Sequence, residues 1–124
     1  MIRKIKYESI DFEKYNHCIA QSCQRKFYAE RSFLDISTGK NWEILVYGDY
    51  EAVMPIPLIR KLGVKVVINP KLCQQLGIFS KQDSKVLNDN FLDFFRKYYK
   101  IWYYAFNDVN EFSKSLKQRN NFLI

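Results

Sequence analysis

From Ile101 to Phe106 the chain runs Ile-Trp-Tyr-Tyr-Ala-Phe, an apolar and aromatic stretch bounded by Lys100 and Asn107. A run of this length and composition predicts a strand buried on both faces. Such a strand needs cover on both sides, which argues for a three-layer arrangement of helices about a sheet. The preceding segment supplies one layer. Asp83 or Ser84 is placed to cap a helix in which Val86, Leu87, Phe91, Leu92, Phe94, Phe95 and Tyr98 form a broad apolar face. With 124 residues, the chain has room for one core, and residues 1–124 are read as a single domain. Ten Phe, nine Tyr and two Trp supply material for that core and argue against disorder.

The other elements follow from local pattern. Residues 2–7 form a short β-favouring run. Asp11 is then an N-cap candidate for a helix carrying Phe12, Tyr15, and Cys18 or Ile19. Tyr28 to Ser37 reads as a second helix that closes near Gly39. Trp42–Tyr47 and the segment beginning at Glu51 read as antiparallel strands joined by Gly48-Asp49-Tyr50. Pro55 and Pro57 lack ladder donors, so that second strand is expected to end there or lie at a sheet edge. Val64, Val66 and Ile68 alternate with Lys65, Val67 and Asn69 in a further strand closed by Pro70, and Gln74 to Phe79 is read as a loop. Asp108 to Leu116 reads as a short helix or turn, and Asn121–Ile124 opens another strand. The expected class is α+β, with a mixed, mainly antiparallel sheet and the order β-α-α-β-β-β-α-β.

The formal net charge is +7. Residues 1–62 carry 10 basic and 8 acidic side chains, and residues 63–124 carry 10 and 5. The second-half lysines are scattered, whereas a nucleic-acid footprint clusters on one element, so a solvated surface is the favoured reading. Three cysteines are too few for a disulfide framework, which favours a reducing compartment. On a helix, Cys18 and Cys23 diverge by about 140° and cannot share one metal ion, and no C-x-x-C pair is present, so no metal is expected. The alternating N-terminus offers no secretion signal, and the longest nearly apolar stretch, Ala52 to Ile59, is too short to cross a bilayer. A cytoplasmic protein with no membrane partner is expected.

Several phrases carry a family resemblance. Glu51-Ala52-Val53-Met54-Pro55, then Arg60-Lys61-Leu62-Gly63, then Gln74-Gln75-Leu76-Gly77-Ile78-Phe79-Ser80, resemble the N-terminal region of bacterial FemAB-like, GNAT-family acyltransferases. Phe33-Leu34-Asp35 and the closing Arg119 to Ile124 are similar as well, and the element order fits the first half of a GNAT fold. The resemblance implies tandem GNAT-like halves, of which this chain contains the first. It also implies transfer of an acyl group from acyl-CoA, or of an amino acid from aminoacyl-tRNA, to an amine. The expected partner is a second half or another copy of the chain.

A GNAT donor site cradles pyrophosphate on a glycine-rich turn, Gln/Arg-x-x-Gly-x-Gly/Ala, that opens a helix. Gln74-x-x-Gly77 continues into Ile78-Phe79 and Arg60-x-x-Gly63 into Val64-Lys65, and neither precedes a predicted helix. No cofactor is therefore assigned to this chain, and by itself the domain is expected to be catalytically silent. The substrate-binding candidates are Asp35, Gln74 and Gln75. Asp35 is better suited to hold local donors than to catalyse. The two glutamines follow a strand end, where either substrate contacts or loop hydrogen bonds would use them. His17 and Cys18 are helix neighbours about 100° apart and do not make a catalytic pair, which leaves a surface histidine and a half-buried cysteine. Trp102, Tyr103 and Tyr104 read as core rather than as a stacking platform.

Overall fold

The computed structural model of the chain describes residues 1–70, 75–113 and 121–123. Strand β1 (Ile2–Ile5) leads to helix α1 (Phe12–Gln21) and helix α2 (Arg31–Thr38). Strands β2 (Trp42–Tyr47), β3 (Ala52–Lys61) and β4 (Val64–Ile68) follow, then the two-residue β5 (Phe79–Ser80). Helix α3 (Lys85–Tyr98), β6 (Ile101–Ala105) and β7 (Asn121–Leu123) complete the order. The sheet runs β1-β2-β3-β4-β6-β7, with β5 paired beside β3. Only β4 and β6 are parallel among these pairs. The fold is α+β with a mixed, mostly antiparallel sheet.

Local chemistry sets the helix ends. Asp11 accepts from the Lys14 N–H, as expected, and of the alternatives Asp83 and Ser84 it is Ser84 that caps, accepting from the Leu87 N–H. Gly39 closes α2 at φ +64°. Neighbouring residues on β2 then show the layers. Trp42 packs against Tyr7, Phe12 and Tyr15 from the α1 side. Glu43, pointing the other way, takes a hydrogen bond from Tyr99 just past α3. Helices therefore cover both faces. Phe95 of α3 meets Tyr104 edge-on at 4.9 Å, which ties that layer to β6.

The structure overturns four readings. Pro55 and Pro57 neither end β3 nor place it at an edge, since β3 pairs with β2 on one side and with β4 and β5 on the other. The Leu58 N–H donates to Asn41 on the β2 side, so by alternation the nitrogens of Pro55 and Pro57 face away from β2. There β5 reaches only to Val53 and β4 only from Leu58. The prolines occupy the gap, and the Pro55 carbonyl is satisfied by the Tyr104 hydroxyl at 2.8 Å. Second, β6 lies between β4 and β7 but is not buried on both faces, because Trp102 is 38% exposed beneath the Lys61 ammonium. Third, β4 does not alternate cleanly. Val66 and Val67 are both buried while Val64 is exposed, because the end of the strand projects with its hairpin and the other end is covered on both faces. Fourth, Phe79–Ser80 is strand rather than loop. A turn at Asp108 and Val109 follows Asn107, so of the predicted helix or turn over 108–116 the described residues, through 113, show the turn; the last three lie outside them.

Candidate anion-binding cleft

At the end of the sheet where β4 begins, a cleft of about 520 Å³ opens between the residues after β1, the α2–β2 turn and the β3–β4 hairpin. Lys6, Lys40, Arg60 and Lys65 line it, with Glu8 and Glu43 as the only carboxylates in its wall among the described residues. The register sets Arg60 directly opposite Lys65. Like charges in that position repel and destabilise the strand pair. Among the described residues none of the four cations forms an ion pair; the ion pairs present are Lys4–Glu43, Lys14–Asp49, Lys26–Asp108 and Arg31–Asp35.

Glu43 does not neutralise the cleft. It is buried, accepts from the Tyr99 hydroxyl, and has Lys4 Nζ at 3.9 Å. Burial first, and then that hydrogen bond, push the Tyr99 phenol far above its ordinary range, so it stays protonated as a donor. The result is a concave surface with unanswered positive charge, able to hold a phosphate, sulfate or carboxylate.

Asp35 borders this site without joining it. Its two oxygens accept from Trp42 Nε1 at 2.9 Å, the Tyr7 hydroxyl at 3.0 Å and Arg31 Nε at 3.3 Å. The carboxylate thus organises the α2–β2 junction, the role the sequence favours for it. Gln74 lies outside the described residues. Gln75 is half-buried beside Leu76, whose N–H donates to the Ala105 carbonyl at the far end of β6. As β4 and β6 are parallel, Gln75 sits at the opposite end of the sheet from the cleft. The candidates are therefore not brought together.

The remaining sequence features resolve similarly. His17 is exposed, whereas Cys18 is buried more fully than expected and donates through Sγ to the Phe79 carbonyl at 3.5 Å. Burial pushes the Cys18 thiol up to about 11, which leaves it a poor nucleophile near neutrality. Arg60-x-x-Gly63 lies in the β3–β4 turn and Gly77 leads into β5, so both glycines precede strands. Among the described residues no group of three or more His, Cys, Asp or Glu is placed to hold a metal ion, and no helix is long and apolar enough to cross a membrane.

Sequence reasoning missed the cleft because its cations come from three separate segments: the residues after β1, the α2–β2 turn and the β3–β4 hairpin. One signal was present: between Glu51 and Asp83 the chain has no carboxylate and five Lys or Arg residues. Compared with protein-family models, curated proteins and solved structures, the chain matches none.

Proposed function

We propose that this chain is a GNAT-like N-terminal domain of a FemAB-type acyltransferase, working in the bacterial cytoplasm with a second GNAT-like half. The reaction is acyl or aminoacyl transfer to an amine, from acyl-CoA or aminoacyl-tRNA held by that second half. The observation that supports the reading best is the order of elements. Two helices separate β1 from β2, hairpins link β2, β3 and β4, and α3 leads into β6 beside β4.

The domain's own contribution is the cationic cleft. An amine acceptor reacts only in its neutral form, and Lys6, Lys40, Arg60 and Lys65 repel an ammonium, which favours loss of its proton. The same four charges hold an anionic portion of the acceptor in place. Cys18, buried with its thiol pushed up to about 11, is not a nucleophile for this step.

Calorimetry with acetyl-CoA tests the assignment. The expected result is at most weak binding that inorganic phosphate and salt abolish; tight one-to-one binding to this chain alone overturns it. A second reading, an interaction domain that pairs by edge addition, is favoured by one observation. Strand β7 ends the sheet and pairs with β6. Light scattering over a range of concentrations distinguishes the two, since a strict monomer counts against edge pairing.

A further inference from the structure

Beside the cleft, the β3–β4 hairpin turns on Leu62 and Gly63, between the paired residues Lys61 and Val64. Both turn residues have positive φ, +52° at Leu62 and +82° at Gly63. Glycine adopts that conformation freely, but for leucine it is strained, and Asn would be the ordinary choice. Leu62 is also fully exposed, at 103%. A large apolar side chain thus stands in water on a backbone that disfavours it. Around it Val64, Ile59 and Trp102 are exposed as well, and Lys61 Nζ lies 4.6 Å from the Trp102 ring centroid. Arg60, Lys61 and Lys65 supply charge, with no carboxylate in the hairpin.

We infer that this hairpin tip docks the protein on an anionic lipid surface. Leu62 enters the acyl boundary, Trp102 sits at headgroup level, and the three cations face the lipid phosphates. Charge complementarity and size both select this occupant. A two-residue tip offers far less than the roughly 800 Å² per partner that a stable protein interface buries, whereas a bilayer accepts a single inserted side chain. RNA gains nothing from an aliphatic tip, because bases stack on rings. Docking of this kind needs no spanning segment, so the absence of one from the sequence does not bear on it. The inference does not rest on the acyltransferase assignment, although Arg60 and Lys65 also line the cleft used there.

The test is flotation of the full chain with phosphatidylcholine vesicles prepared with and without phosphatidylglycerol. Binding is expected only with phosphatidylglycerol, accompanied by a blue shift of tryptophan emission, which Trp102 reports because Trp42 is already buried. Leu62→Asn relieves the turn, so it is expected to fold as well as the parent while its partition coefficient falls roughly tenfold. Lys61→Gln is expected to lower binding about fivefold, the loss of one cation near the surface. The proposal is overturned by equal flotation with neutral vesicles, by no flotation, by Leu62→Asn binding like the parent, or by a single-stranded RNA that binds with the same dependence on Leu62.

Discussion

The two ends of the sheet solve opposite problems. At the end where β4 and β6 finish, polar groups are largely answered, the buried Asn88 Oδ1 excepted. Asn107 donates from Nδ2 to the Leu76 carbonyl and accepts at Oδ1 from the N–H groups of Val109 and Asn110. Asn110 bonds both backbone groups of Ile78, and Asp83 gathers Gln24, Asn88, Asn110 and the Glu111 N–H. At the other end Arg60 faces Lys65, and Leu62 is strained and exposed. A network with its bonds made rigidifies the fold, while groups left in repulsion and strain mark a surface kept for something else. The first end is read as structural and the second as functional.

The largest effect expected is at the satisfied end. Asn107→Ala removes the acceptor of the part-buried Val109 and Asn110 N–H groups and one of the two donors to the buried Leu76 carbonyl, and should cost about 3 kcal/mol in urea unfolding. A loss under half of that would show the network to be dispensable. Next is Gly77→Ala. At φ +103° its Cβ would lie 2.4 Å from Asn110 Oδ1 and 3.2 Å from the Asn107 nitrogen, so strain adds to a broken bond, and a loss of about 2 kcal/mol is expected.

The cleft end should respond in the opposite sense. Lys65→Glu turns a like-charged cross-strand pair into an attractive one and should raise the unfolding free energy measured in urea by about 0.5 kcal/mol. It should also abolish phosphate binding. A destabilised variant would mean that the repulsion between Arg60 and Lys65 is not felt.

The smallest effect concerns pH at Cys18. The buried thiol ionises at about 11 against the ordinary 9.0, so between those values the unfolded chain releases its proton first. Stability attributable to this group is intact below 9 and falls as the pH rises toward 11. The corresponding kinetic check is alkylation at pH 8, where exposed Cys23 should react and Cys18 should be spared.

Much of the fold was legible because it is local. The caps Asp11 and Ser84, the close at Gly39, and the apolar faces of α1 and α3 are set by residues a turn or less apart. The order of helices and strands, β5 excepted, followed from the same short-range patterns. The prolines of β3 misled because a missing donor is harmful only where a partner strand stands opposite, and no sequence pattern states that β5 stops at Val53 and β4 starts at Leu58. Trp102 misled for a related reason: an apolar run does not reveal which face the helices leave open.

Of the candidate site, the sequence held only the acid-free stretch from Ala52 to Gln82. Asp35 was legible as a holder of local donors, since short carboxylates bond nearby groups, but its partners Tyr7 and Trp42 come from other elements. What the sequence determined alone is what neighbouring residues decide: where the helices are capped and closed, which long segments become helix or strand, and that one core is possible. Only the tertiary structure decided that Lys6, Lys40, Arg60 and Lys65 share a cleft and that Leu62 stands exposed beside it. Charges separated by up to 59 positions meet through strand register, and register is fixed by pairing across the whole sheet.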